Sequence, residues 1–127
     1  MRVLLDTATF LWMTGNPKRL SRRVKKFLVE KPGVVRELSV LSLAEIAIKR
    51  ERSPGLPITN ASLRSALDEL DIHLLPFTAA HSYTFFDLAV NHGDPFDRLL
   101  IAQAVSESIQ IVTPDESFEK YPVKVIW

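Results

Sequence analysis

The sequence predicts an α/β fold in which short strands alternate with helices around a central, mostly parallel five-stranded sheet. Short apolar runs are followed by longer segments whose apolar residues have helical spacing, an order typical of βα units. Five of these runs are strand candidates. A chain of 127 residues is in the commonest size range for one domain, so we expect residues 1–127 to form a single domain.

The predicted strands are recognised by their apolar residues. They cover residues 3–5, 34–41, 72–75, 109–113 and 123–127. The second is the least apolar because Arg36 and Glu37 interrupt it. Strand 3–5 ends at Asp6, where the first helix is expected.

Capping residues and helical spacing predict the helices between these strands. A short helix around residues 10–12 should stop at the turn residues 15–17, and a second helix should cover residues 21–30. The residues expected to cap or open the later helices are Ser42, Asn60, Thr78 and Asp94. The aromatic residues expected in the core are Phe10, Trp12, Phe85, Phe86 and Phe96. A turn around Phe118 precedes the last strand.

Four acidic residues are predicted to meet at one edge of this sheet. Asp6 ends the first strand, Asp115 follows the fourth, and Glu45 and Asp97 lie in the first turns of their helices. Ligands of an open parallel sheet bind beyond the carboxyl ends of its strands. Carboxylates that share a crevice repel one another unless a cation neutralises them, and oxygen ligands suit Mg²⁺ or Mn²⁺. We therefore expect all four to be both metal ligands and catalytic residues.

Helix capping is the alternative explanation for some of these acids. Residues 42–45 read as a capping box from Ser42 to Glu45, and residues 94–97 resemble one with aspartate at both ends. Capping does not explain why an acid should be present at every predicted strand-to-helix connection along one edge of the sheet. We assign only Asp94 to a cap.

Basic and histidine residues are less informative than the acids. Arg22, Arg23, Lys25 and Lys26 could attract RNA phosphates, although such a run is also typical of a solvated helix face. The histidines, which lack metal-ligand spacing, are His73, His81 and His92. We expect them to be packing or surface residues.

The composition excludes some kinds of metal site and indicates the cellular compartment. The chain has no cysteine, which excludes disulfides and thiolate metal sites and fits a reducing cytoplasm. No signal peptide or apolar run long enough to cross a bilayer is present, so we expect a cytoplasmic protein that does not bind membranes. The net charge is +1, and gathering four acids in one pocket would leave the remaining surface basic, which suits a polyanionic substrate.

Several motifs together resemble a known family. They are LLDT, SLAEIAIKR, HGDPFDRLLIAQA, TPDESF and VIW, and they cover the whole length in order. DPFDRLLIAQA is the most specific of them. The set resembles the PIN-domain toxins of toxin–antitoxin pairs, the VapC-like group, although Ala44 and Gly93 stand where many relatives have tryptophan and arginine.

The resemblance implies a three-layer α/β/α sandwich and endoribonuclease activity. In such proteins a Mg²⁺- or Mn²⁺-activated water cleaves single-stranded RNA or the loops of structured RNA. Asp6, Glu45, Asp97 and Asp115 match the family's acidic quartet, and Asp94 matches a recurrent acid outside it. The resemblance further implies a homodimer and a cognate antitoxin whose tail enters the active-site groove. Residues expected to line an apolar groove for that tail are Leu11, Trp12, Ile46 and Ile48.

Other functional classes built on a similar architecture fit less well. A receiver domain needs a second acid beside Asp6 and a lysine after the last core strand, but Leu5 precedes Asp6 and residues 113–115 contain no lysine. A haloacid-dehalogenase-like phosphatase needs an aspartate where this chain has Ala8. A non-catalytic RNA-binding or receiver-like regulatory module is the alternative, and metal-dependent RNA cleavage by the purified chain distinguishes it from a nuclease.

Overall fold

The computed structural model describes residues 1–91 and 93–127, and within them five parallel strands form one sheet. The sheet order is β3-β2-β1-β4-β5, and every neighbouring pair is parallel. The strands are β1 (Arg2–Leu5), β2 (Val35–Ser39), β3 (Ile72–Leu75), β4 (Gln110–Val112) and β5 (Val125–Ile126). The predicted five-stranded α/β architecture is thus confirmed.

Six helices connect these strands in the described residues. They are α1 (Thr7–Gly15), α2 (Arg22–Glu30), α3 (Val40–Arg52), α4 (Asn60–Glu69), α5 (Ala79–Asp87) and α6 (Pro95–Glu107). Two short 3-10 segments, Pro17–Arg19 and Glu116–Lys120, add single turns. No helix in the described part of the chain is long and apolar enough to cross a membrane.

Both faces of the sheet are covered by helices. Side chains alternate along a strand, so Val3 and Leu5 point to one face and Leu4 to the other. The first face packs against buried residues of α1, α2, α3 and α4. The second packs against α6 and Phe118. The molecule is therefore a three-layer α/β/α sandwich, as the family resemblance implied.

A partly buried ion pair explains the acidic residue in β2. The Arg2 guanidinium donates two hydrogen bonds to the Glu37 carboxylate, at 2.9 and 3.0 Å. A buried carboxylate is costly unless it is paired and hydrogen-bonded. The pairing with Arg2 therefore allows Glu37 to be buried in a strand, where an apolar side chain would be expected.

Some predicted element ends and burial states were wrong. α3 begins at Val40, and its cap is Ser39, whose hydroxyl accepts a hydrogen bond from the Leu41 N–H at 3.1 Å, so Ser42 is not the cap. The reason is that α3 starts directly after β2 without a loop. Thr59, not Asn60, caps α4. The sequence pattern predicts that the helix opened by Thr78 reaches about residue 90, but α5 ends at Asp87. Phe86 is 85% exposed and lies outside the core, whereas Thr78 and Asp94 cap α5 and α6 as expected.

Candidate active site

The candidate site lies where the strand order reverses. The neighbours of β1 are β2 on one side and β4 on the other, and such a reversal leaves a crevice beyond the carboxyl ends of the strands. Asp6 follows β1 directly and caps α1. Asp115 follows β4 and caps the 3-10 segment Glu116–Lys120. Two of the predicted acids therefore flank the switch point.

Thr113 connects these two acids. Its hydroxyl donates a hydrogen bond of 2.5 Å to Asp6 Oδ2 and accepts one of 3.1 Å from the Asp115 N–H. The Asp115 carboxylate in turn accepts hydrogen bonds from the Ser117 N–H at 2.9 Å and from the Ser117 hydroxyl at 2.6 Å. Asp6, Thr113 and Asp115 thus form one continuous hydrogen-bonded array.

Further buried hydroxyl residues surround Asp6. The Thr9 N–H donates to Asp6 Oδ1 at 2.7 Å, and the Thr9 hydroxyl donates to the Val112 carbonyl at 3.0 Å. The Thr7 hydroxyl donates to Ser42 Oγ at 2.9 Å. These bonds join α1 to β4 and to α3, so they fix the carboxyl edge of the sheet.

Four polar residues of this region were not predicted from the sequence: Thr7, Thr9, Ser42 and Thr113. One signal was present for Thr113, which stands directly after an apolar strand just as Asp6 does. The register pairs Leu5 with Val112, and the Asp6 N–H donates to the Val112 carbonyl at 3.1 Å. Thr113 is therefore the residue beside Asp6, a fact that depends on β1 and β4 being neighbours.

Glu45 lies one turn deeper in its helix than predicted. Because α3 begins at Val40, Glu45 is in the second turn and cannot complete a capping box. Its side chain is largely buried, and Oε2 lies 3.7 Å from Lys49 Nζ. Among the described residues, no group hydrogen-bonds to its buried Oε1. A buried acceptor without a partner is rare in a folded protein and calls for a ligand or another role.

The electrostatics of Asp6 also indicate uncompensated negative charge. Burial raises the pKa of the Asp6 carboxyl above its ordinary value, and the negative charge of Glu45 raises it further. The hydrogen bonds from Thr113 and Thr9 act in the opposite direction, because they stabilise the ionised form. Glu45 is therefore close enough to Asp6 to disfavour its charge.

Asp97 lies in the first turn of α6, at the same edge. α6 leads into the parallel strand β4, so the start of the helix is at the carboxyl end of the sheet. Asp94 caps α6, with its carboxylate accepting from the Phe96 N–H at 2.9 Å and the Asp97 N–H at 3.4 Å. α6 contacts α3, the helix that carries Glu45. The assignment of Asp94 to a cap is confirmed.

The donor set at this edge suits a hydrated divalent cation better than a closed cage. In residues 1–91 and 93–127, no three His, Cys, Asp or Glu side chains are grouped closely enough to hold a metal ion. Mg²⁺ commonly binds to one or two carboxylates and keeps several waters. Two observations fit such an ion: Glu45 Oε1 has no hydrogen-bond partner in the described part of the chain, and the pKa of Asp6 is raised.

The basic and histidine residues lie outside this array. On α2, Val24 and Leu28 are buried, and the residues exposed to solvent include Arg22, Arg23, Lys25 and Lys26. His73 is exposed, and the buried His81 accepts a hydrogen bond from the Thr78 N–H at 3.0 Å. These two are surface and packing residues as predicted, whereas His92 lies outside the described residues.

Comparison with known proteins identifies both a family and a fold. The family model of the PIN domain matches residues 3–124. No curated protein matches the chain significantly.

Solved structures of low sequence identity share the fold. VapBC2 from Rickettsia felis bound to a promoter DNA fragment is 17% identical, with a TM-score of 0.75 over 99% of this chain and 98% of that one. FitAcB from Neisseria gonorrhoeae is 21% identical, with a TM-score of 0.67 over 98% and 96%. DNA-bound VapBC from Salmonella typhimurium is 16% identical, with a TM-score of 0.66 over 99% and 97%.

Proposed function

This chain belongs to the PIN domain family, and from that premise we propose that it is a metal-dependent endoribonuclease and the toxin of a toxin–antitoxin pair. The observation that carries the proposal is the carboxyl edge of the sheet. There the buried Asp6 is hydrogen-bonded through Thr113 to Asp115, and the charge of Glu45, whose Oε1 has no hydrogen-bond partner among the described residues, raises the pKa of Asp6. Residues 1–127 act as a single PIN domain in this proposal.

Asp6, Glu45, Asp97 and Asp115 would hold a hydrated Mg²⁺ or Mn²⁺, whose waters would make the contacts that the carboxylates do not make directly. Such an ion supplies an activated water and stabilises the negative charge that develops on a phosphodiester in the transition state. Thr113 and Thr9 fix the orientation of the Asp6 carboxylate, since each donates to a different oxygen of it. Preorganised carboxylates need no rearrangement when the substrate binds.

The substrate in this proposal is single-stranded RNA, or a loop of a structured RNA, in the cytoplasm. The exposed residues Arg22, Arg23, Lys25 and Lys26 of α2 give the polyanion a positively charged approach. They attract the substrate and take no part in the chemistry.

The direct test is RNA cleavage by the purified chain with and without a divalent ion. Mg²⁺ or Mn²⁺ should support cleavage, and EDTA should abolish it reversibly. Asp6→Asn, Asp97→Asn and Asp115→Asn should each lower the rate at least about a hundredfold, as expected for the loss of one important electrostatic partner.

Asp68→Asn is the matched control. Asp68 is exposed and lies just before β3 begins, near the opposite edge of the sheet, so its removal should leave the rate unchanged. Circular dichroism should show that every variant is folded. Wild-type rates in all three site variants, or undiminished cleavage in EDTA after removal of the metal, would refute the metal-dependent assignment.

The partner in this proposal is an antitoxin whose tail occupies a groove beside the site. A cavity of about 680 Å³ lies between α1 and α4, and its lining includes Phe10, Leu11, Leu63 and Ala66. Leu11 was predicted to line such a groove. Ile46 was also predicted, but it is buried in the core and is unavailable. An arginine of the tail could pair with the carboxylates, because its planar fork matches them.

Co-expression with the product of the neighbouring small open reading frame tests this partner. We expect a stable complex that does not cleave RNA, and alanine in place of the tail arginines should restore cleavage. Leu63→Glu should prevent the complex from forming without abolishing cleavage by the free chain. A neighbour that neither binds nor suppresses cleavage would remove the toxin assignment and leave the nuclease assignment standing.

We further propose that the chain forms a homodimer through the outer side of α5. Tyr83 and Phe86 are 71% and 85% exposed, and Val90, shortly after the helix, is 79% exposed. Large exposed apolar patches are typical of interaction sites. Sedimentation analysis should show a dimer that Phe86→Glu dissociates and that the control Val29→Glu, on α2, does not. A monomeric wild-type chain would refute this assignment.

A further inference from the structure

The two tryptophans of this chain contact each other beside the candidate site. Trp12 belongs to α1, and Trp127 follows β5. Their ring centroids are 5.7 Å apart in an edge-to-face arrangement, and the Arg19 guanidinium lies 4.1 Å from the centroid of Trp12. We call Trp12, Trp127 and Arg19 the aromatic platform.

The strand register places one member of this platform, Trp127, two strands away from Asp6. Val112 pairs with Ile126, and the Thr113 N–H donates to the Ile126 carbonyl at 3.2 Å. Trp127 is therefore the residue beside Thr113, whose hydroxyl is bonded to Asp6. Two strand spacings separate the backbones of Asp6 and Trp127, which is roughly 10 Å.

The platform is partly exposed to solvent and carries positive charge. Both indoles pack against the core on the first face of the sheet and keep part of their surface exposed, and Arg19 is exposed. Exposed cations continue along the chain on either side of it, at Lys18 and Arg22. Packing explains why two indoles touch, but it does not require an arginine over an accessible ring or further cations beside it. Stacking of a nucleobase uses all of these features, because aromatic rings bind bases and cations bind phosphates.

We propose that the aromatic platform stacks one unpaired nucleobase of the RNA, close to the phosphodiester that is cleaved. The inference rests on the proposed ribonuclease function and adds a binding subsite to it. The base lies against the indole of Trp12, and the exposed Arg19 side chain covers the base or binds the adjacent phosphate. Every base has a π-face, so the subsite requires an unpaired base without selecting its identity.

Tryptophan fluorescence is a direct readout, because Trp12 and Trp127 are the only tryptophans in the sequence. The full chain is titrated in EDTA, which prevents cleavage, with a short unstructured RNA. The matched probes are the same RNA with one abasic nucleotide placed at each position in turn, and inorganic polyphosphate. We expect quenching by the intact RNA, loss of quenching at one abasic position, and no quenching by polyphosphate.

Substitutions separate stacking from a structural role. Trp12→Leu should weaken RNA binding about 5- to 150-fold, the range measured for one stacked base, whereas Trp12→Phe should retain most of the affinity. The control is Phe27→Leu, which removes the ring beneath Lys31, 5.1 Å away, on α2. It should change affinity little. Thermal melting should show that all three variants are folded.

The outcomes distinguish this inference from the function on which it rests. Cleavage of RNA with no quenching, or with equal affinity for every abasic probe, would overturn the platform and leave the nuclease intact. Quenching that depends on one base, without cleavage when Mg²⁺ or Mn²⁺ is added, would keep the platform and overturn the nuclease. Neither quenching nor cleavage would overturn both.

Discussion

Replacing Thr113 with valine removes the hydroxyl that holds the Asp6 carboxylate and keeps the branched shape of the side chain. Thr113 is fully buried, so water cannot easily replace the lost donor. A hydrogen bond to a charged group contributes about 1.5–3 kcal/mol. In a chain of this size, a loss of 1 kcal/mol of stability lowers the Tm by about 4 °C. We therefore expect the Tm of Thr113→Val to lie about 6–12 °C below that of the wild type.

The loss should depend on pH with a definite sign. The bond from Thr113 favours the ionised form of Asp6, so its contribution is present when Asp6 is ionised and declines as pH falls through the pKa of Asp6. Burial raises that pKa, so the decline should begin above the ordinary aspartate value of about 3.9. The valine substitution should raise the pKa of Asp6 still further.

Thermal melts in EDTA at mildly alkaline and acidic pH provide the assay. Thr113→Ser is the matched control because it keeps the hydroxyl and loses only a methyl group. The serine variant should be more stable than the valine variant at alkaline pH, and the difference should narrow in acid. Equal stability of the two variants, or a difference that does not change with pH, would refute the role assigned to this hydroxyl.

Two further predictions concern charge at and near the site. In EDTA at mildly alkaline pH, Asp6→Asn should raise the Tm, because the raised pKa means that ionised Asp6 destabilises the folded state. The gain in Tm should vanish in acid, where Asp6 is protonated. The control Asp68→Asn should show no gain. A lower Tm for Asp6→Asn would contradict this. Reversing Arg23 and Lys26 together should weaken RNA binding and reduce its log–log salt slope by about 0.7 for each lost phosphate contact, without changing the single-turnover rate at saturating RNA. Lys120→Glu is the control, and an unchanged slope would mean that α2 presents only a solvated face.

The sequence by itself determined the strands and helices and the edge of the sheet at which the acidic residues lie. Apolar runs located all five strands, because a strand in a parallel sheet is covered on both faces and is therefore mostly apolar, with Arg36 and Glu37 in β2 as the exception. The position of Asp6 directly after β1, and the capping of α6 by Asp94, follow from residues within one or two turns of each other. Such local signals can be read along the chain.

Only the tertiary structure decided which polar groups meet at that edge. The bond between Thr113 and Asp6 joins residues 107 positions apart, and it exists because β4 is placed beside β1. The pairing of β5 with β4 brings Trp127 beside Thr113, and its ring contacts Trp12. Glu45 lies in the second turn of α3, and not in the first, because β2 runs into the helix without a loop. Ser42 is a good capping residue and therefore suggested that the helix begins later than it does. Hydrophobic periodicity records which side chains are buried, but strand order, and therefore every contact across strands, is fixed only when the helices pack on both faces of the sheet.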